Sequence, residues 1–144
     1  MDVHSWGREP LPAPPVLLVD PDPAHRHDVA AVLAEGRLTN PLLPLGSLAD
    51  LRDHLAEGGT AAAAICSAGL PDGDCVDVIA ALATRRSTRR TPVVVTASST
   101  RELIDSDAAY AAGAAAYLLW PVAATGLVDV LRRLDLPWQL AVTA

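Results

Sequence analysis

"AICSAGLPDGDCVDV", Ala64–Val78, decides how the rest of the chain is read. An apolar run ends in Cys66-Ser67, breaks at Gly69-Leu70-Pro71 and resumes as a helix after Asp72-Gly73-Asp74. A short, continuously apolar run closed by Pro and Gly is the pattern of a strand buried on both faces, followed by a turn and a helix. Such a strand stops where a small polar residue is presented to a ligand or a reaction. Here that residue is Ser67, and the sequence places no base beside it.

Outward from this stretch the same alternation repeats. "VLLVD" (16–20) is another buried run, followed by a helix that Asp22 caps, Pro23 opens and Gly36 stops. "PLLPL" (41–45) is a weaker strand whose two prolines place it at an edge. Ser47 caps the helix "LADLRDHLAEGG", and "AAAAIC" (61–66) is the strand that leads to Ser67. The helix "DCVDVIAALATRR" precedes "TPVVVTAS" (91–98), the clearest strand. The helix "TRELIDSDAAYAAG" ends at Gly113, "AAYLLW" (115–120) is the last strand, and "VAATGLVDVLRRL" the last helix. Five such alternations at short spacing give a parallel sheet with helices on both faces. Ligands of that architecture sit beyond the carboxyl ends of the strands, which selects Asp20, Ser67, Thr96 and Trp120 for inspection.

Composition narrows the function classes. The 144 residues suit one domain able to bury a sizeable core, and the core is built of Ala, Leu and Val because the chain has no Phe. A net charge of −6 argues against a nucleic-acid or anionic membrane surface over the whole chain. No run approaches the length of a membrane span, and the first residues lack a basic-then-apolar leader. Two cysteines, Cys66 and Cys75, fit a reducing cytoplasm; they lack neighbours at metal-ligand spacing and are read as core. Every side chain among the eleven cationic ones is Arg, and the chain has no lysine. Lysine-free, Ala- and Arg-rich composition suggests a GC-rich bacterial genome. Residues 1–15 are read as a flexible proline-rich extension, 16–134 as the domain and 135–144 as an apolar tail.

At the strand ends the chain resembles the receiver domain of two-component response regulators. "VLLVDPDPAHR" is similar to that family's opening "VLLVDDDPxxR", "LPDGDCVDVI" to its "LPDGDGLELL", "VVVTAS" to its strand-four threonine-alanine, and "GAAAYLLWP" to its "GAxxYLxKP". The resemblance covers roughly 16–134 and implies a flavodoxin-like (βα)5 fold with strand order 2-1-3-4-5. In the family, two adjacent acids and a strand-three aspartate bind magnesium, that aspartate accepts a phosphoryl group, and a Thr/Ser and a Lys hold its oxygens. Carried over, Asp20 fits the first acid and Thr96 the hydroxyl, but the second acid falls on Pro21, the acceptor on Ser67, and the lysine on Trp120, before Pro121.

Physical chemistry agrees with the mismatch. Magnesium is usually held by one or two carboxylates with a substrate phosphate, and these positions supply about −1 of charge where three acids supply about −3. Serine is a weak nucleophile without an adjacent base. His25 and His27 start the first helix but point in different directions at that spacing, and both are expected in solvent. Asp22, Asp72 and Asp74 are read as helix caps and turn residues. No register supplies a lysine to a chain that has none. Ser67 therefore marks lost chemistry, and Trp120 either folds over it or faces outward.

Tyr117 fits the aromatic that rotates when receivers switch. The resemblance implies a homodimer or protein partner at the face of the fourth helix, fifth strand and fifth helix, where Leu103, Ile104, Tyr110, Arg132 and Arg133 fall. "RRSTRR" (85–90) is read as an exposed loop. The expectation is a cytoplasmic, phosphorylation-independent, atypical receiver: a signalling module that binds protein, not an enzyme, with no metal or cofactor, no direct nucleic-acid contact and no membrane contact. The alternative is a small-molecule sensor with its ligand in the former phosphorylation pocket.

Overall fold

Val16–Val19 form β1, and all four side chains are fully buried because the strand is flanked on both sides. The computed structural model describes residues 13–98, 104–120 and 126–133. β1 pairs in parallel with β2 (Leu42–Leu45) on one side and β3 (Ala63–Ser67) on the other. A two-residue antiparallel ribbon, β4 (Gly69–Leu70) and β5 (Gly73–Asp74), follows β3. The sheet then continues through β6 (Val93–Ala97) to β7 (Ala116–Leu119), in the order β2-β1-β3-β6-β7. With the ribbon set aside this is the expected 2-1-3-4-5, and β2 is an edge strand with Pro44 exposed. The ribbon was not foreseen, and Ser67 lies inside β3 rather than after it.

Successive side chains of a strand point to opposite faces, so each apolar run feeds two cores. On one face α1 (Pro23–Glu35) and α5 (Leu127–Arg133) bring Val29, Leu33, Leu127 and Leu131 onto Leu18, Ile65 and Val94. On the other, α2 (Leu48–Ala56), α3 (Cys75–Ala83) and α4 (Ser106–Ala112) bring Leu51, Leu55, Val78, Leu82 and Ala109 onto Leu17, Val19, Cys66 and Val95. Both cysteines are buried as expected. Arg132 Nη2 donates to Gly36 O at 2.7 Å, so α5 supplies a cation to the carboxyl end of α1.

The acids of "LPDGD" are capping groups, divided between two helices. Asp74 and Asp77 form a reciprocal capping box at the start of α3. Asp72 instead reaches α2, accepting from Leu48 N at 2.8 Å and Ala49 N at 2.9 Å while Ser47 accepts from Asp50 N. These donors hold the Asp72 carboxyl below the usual carboxylate range. The turn after β3 is thereby tied to the helix before it. Residues 1–12 of the proposed extension, residue 134 at the end of the proposed domain, the tail 135–144, Leu103 and Pro121 lie outside the described residues.

Candidate functional site

The parallel registers bring the selected residues to one rim. Val19 pairs with Cys66, and Ser67 with Thr96, so Asp20 and Ser67 leave neighbouring strand ends. Trp120 follows β7, its backbone N–H donating to Ala97 O at 3.0 Å. Asp20 is 1% exposed, and both of its carboxylate oxygens are occupied from within the chain. Oδ1 accepts from Asp22 N at 2.8 Å, and Oδ2 lies 2.8 Å from His25 Nδ1. A carboxylate acceptor places the hydrogen of that second contact on Nδ1, so the imidazole donates. Arg26 Nε donates to Asp20 O at 3.1 Å, which adds a cation from the next helical position.

His25 does not stand in solvent as its spacing suggested. Its side chain is 22% exposed, and its ring stacks on the indole of Trp120 with centroids 3.8 Å apart and planes 8° from parallel. Nε2 lies 3.6 Å from Asp22 Oδ2. The signal was present in the capping pattern. With Asp22 at the N-cap and Pro23 at the first helical position, His25 is the third, whose side chain reaches back toward the cap. Its spacing from His27 points the two rings apart, and the capping geometry brings this one onto Asp20. His27 is exposed, as expected. Trp120 is half-buried and packs against the α1–α5 core, so its ring covers the imidazole that holds Asp20.

The hydroxyls are disposed differently. Thr96 is fully buried, with Oγ1 donating to Cys66 O at a long 3.4 Å. Ser67 is half-buried, and its Oγ makes no hydrogen bond among the described residues. His25 is committed to Asp20, and no described residue hydrogen-bonds the serine hydroxyl, so Ser67 has no activating partner among the described residues. Cys66 Sγ donates to Ser67 O at 3.1 Å, and burial, followed by the nearby Cys75 thiol and the Asp20 charge, pushes the Cys66 thiol well above its ordinary range.

The family resemblance implies a divalent ion at this rim. Among the described residues Asp20 is the one carboxylate at the strand ends, each of its oxygens already faces a donor, an amide and an imidazole, and Pro21 offers no side-chain oxygen. Among the described residues no three His, Cys, Asp or Glu side chains converge to hold an ion. The donor set does not fit an octahedral dication.

Tyr117 turns inward, its hydroxyl donating to Ile104 O at 2.9 Å. Tyr110, 50% exposed on α4, accepts from Tyr117 N at 3.1 Å and so covers a donor of the edge strand β7. Arg133 is exposed at the end of α5, whereas Arg132 turns toward α1 and is engaged by Gly36. Both arginines fall in the last turn of α5, and the helix separates their directions.

No family model and no curated protein matches the sequence. Solved structures do. The bacteriophytochrome response regulator AtBRR is 24% identical, with a TM-score of 0.72 over 88% of this chain and 95% of that one. A sensor protein from Polaromonas sp. JS666 is 25% identical, with a TM-score of 0.70 over 85% and 95%. The Mn2+-bound form of response regulator Rcp1 is 22% identical, with a TM-score of 0.67 over 91% and 99%. The fold is the flavodoxin-like one of these proteins, carried over nearly the full length of each.

Proposed function

We propose that this chain is an atypical receiver: a signalling module that acts by protein contact and does not take up a phosphoryl group. The observation that carries this reading is the occupied Asp20, whose outer oxygen is bonded to His25 beneath the Trp120 ring. One of the similar proteins, Rcp1, was solved with Mn2+, and another, the cyanobacterial RcpA, phosphorylated. The corresponding chemistry here would require breaking a buried imidazole–carboxylate contact, and the released aspartate would still stand alone. A hydroxyl without a base and a rim without lysine supply neither acceptor nor clamp.

The partner surface is the face of α4, β7 and α5, with Tyr110 and Arg133 offered to a protein or to a second copy of the chain and Ile104 half-buried beneath them. The residue supporting this is Tyr110, a large aromatic left half in solvent. The chain is regulatory rather than enzymatic on this reading, and its compartment is the cytoplasm.

The test is intact mass and tryptophan emission after incubation with Mg2+ and acetyl phosphate, then with Mg2+ and beryllofluoride. Unchanged mass and emission are expected. A phosphorylated species, or a saturable emission change at sub-millimolar metal, refutes the reading. Sedimentation of Tyr110→Ala and Arg133→Glu examines the face separately, and a mass identical to the parent in a self-associating preparation removes it.

A further inference from the structure

Charge along this chain is segregated. Between Asp77 and Glu102 there is no acidic residue, while five of the eleven arginines fall there, four of them in "RRSTRR" at 85–90. All seventeen acids lie outside that interval, on a chain of net charge −6. The segment is built rather than slack. Thr84 Oγ1 donates to Ala81 O at 2.7 Å, and the buried Thr88 sends its hydroxyl to Leu82 O at 2.8 Å. Thr88 N and Arg89 N both bond Arg85 O, at 3.1 and 2.8 Å, and Thr91 N returns to Thr88 O at 2.9 Å. Two threonines thus pin consecutive turns from which Arg85, Arg86, Arg89 and Arg90 project, all exposed.

None of these four guanidiniums makes an ion pair or side-chain hydrogen bond with a described residue. Holding like charges one turn apart opposes folding. A surface whose backbone is already ordered loses less freedom when a partner docks.

Beside the turn, α2 and α3 leave a cavity of about 530 Å3 lined in part by Ala80 and Ala81, with Arg52, Asp53, Asp77 and Arg85. Its small alanines admit an aliphatic side chain. Its two carboxylates repel a uniformly anionic polymer, and its lining contains no aromatic on which a base would stack.

We propose that the arginine turn and this groove form a docking surface for an acidic segment of a partner protein. Such a segment sets an aliphatic side chain between α2 and α3 and its carboxylates on Arg85, Arg86, Arg89 and Arg90. The arginine turn immediately precedes β6 and so lies at the amino ends of the strands, opposite the Asp20 rim, and the proposal stands whether or not the rim takes up a phosphoryl group.

The experiment uses the full chain and two fluorescein-labelled probes, a helical Glu/Leu peptide and a single-stranded oligonucleotide of equal charge, followed by anisotropy. The peptide binds more tightly than the oligonucleotide. Arg86→Glu with Arg89→Glu weakens peptide binding by about tenfold or more, as truncating charged contacts does at other interfaces. Ala80→Glu, which fills and charges the groove, weakens the peptide at least about threefold, on the order of a lost aliphatic contact. Circular dichroism checks that each exposed-site variant is folded, and Arg86→Gln with Arg89→Gln gives an intermediate loss. Tighter oligonucleotide binding, no peptide binding, or binding indifferent to charge reversal overturns the proposal. So does a self-association that the charge-reversed variant abolishes, because the occupant is then a second copy.

Discussion

Replacing His25 with alanine measures what the rim is held by. The Asp20 carboxylate is 1% exposed and keeps only the Asp22 amide once the imidazole is gone. A hydrogen bond to a charged group contributes about 1.5–3 kcal/mol, and the stack on Trp120 about 0.5–1.5 kcal/mol more. At 22% exposure His25 leaves a gap that water can enter, which restores part of the acceptor's hydration. The expected loss is therefore about 2–3 kcal/mol, or on the order of 8–12 °C in Tm for a domain of this size. Urea denaturation of the parent, His25→Ala, Trp120→Ala and the double variant gives the loss and the coupling between the two rings. Coupling of about 0.5–1.5 kcal/mol is expected for the stack. A His25→Ala loss below about 0.5 kcal/mol, in the range of an ordinary surface substitution, would refute the assignment of the imidazole to Asp20.

Three further outcomes follow from local geometry. Gly36→Ala would bring a new Cβ to 2.7 and 2.8 Å from the Val128 methyls, so unfolding should show a loss of about 1–3 kcal/mol, largely recovered by adding Val128→Ala. Asp72 has a folded pKa below its ordinary 3.8, so its contribution is present above that value and lost as pH falls through the lower folded one. Urea midpoints of the parent and Asp72→Asn should differ at pH 7 and converge at strongly acidic pH. Burial pushes the Cys75 thiol from 9.0 up to about 11, so stability present below pH 9.0 declines as pH rises through about 11. At pH 8 disulfide-exchange labelling of Cys66 and Cys75 should track global unfolding, and rapid labelling of the native chain would contradict their burial.

How much of this was written locally in the chain differs from element to element. The apolar runs 16–19 and 93–97 announced themselves because a strand covered on both faces has no polar alternation to obscure it. The same uniformity hides register, so the order of the strands came from the family resemblance and not from the runs themselves. Caps were legible where donor and acceptor are close in sequence, as at Asp22, Ser47 and Asp74. Asp72 was legible as a cap but not as the cap of α2, because its partners Leu48 and Ala49 lie 24 and 23 residues earlier. Arg132 was misgrouped with Arg133 for the same reason: its acceptor, Gly36 O, is 96 residues away.

At the rim, the positions of Asp20, Ser67 and Thr96 were readable from strand ends, while the interaction that organises them was not. A single buried carboxylate in a site with no lysine needs compensation from some cation or donor, since an unpaired buried charge is strongly destabilising. The sequence poses that requirement, and residues 22–25 meet it locally: the Asp22 amide takes Oδ1, and the third residue of the capped helix takes Oδ2. Trp120 then has a specific use that neither plugging a hole nor idle exposure describes, because a flat apolar ring over an imidazole fixes the ring plane and limits water at its hydrogen bond. Pro21 fits the same logic, as it carries no second charge that would need its own partner. Proline, histidine and tryptophan at this rim are thus one coupled solution to housing one aspartate. Placing a lysine at 120 alone would bring a cation to His25 while removing the ring that stacks on it, so coupled replacement, not a single substitution, is the change this geometry tolerates.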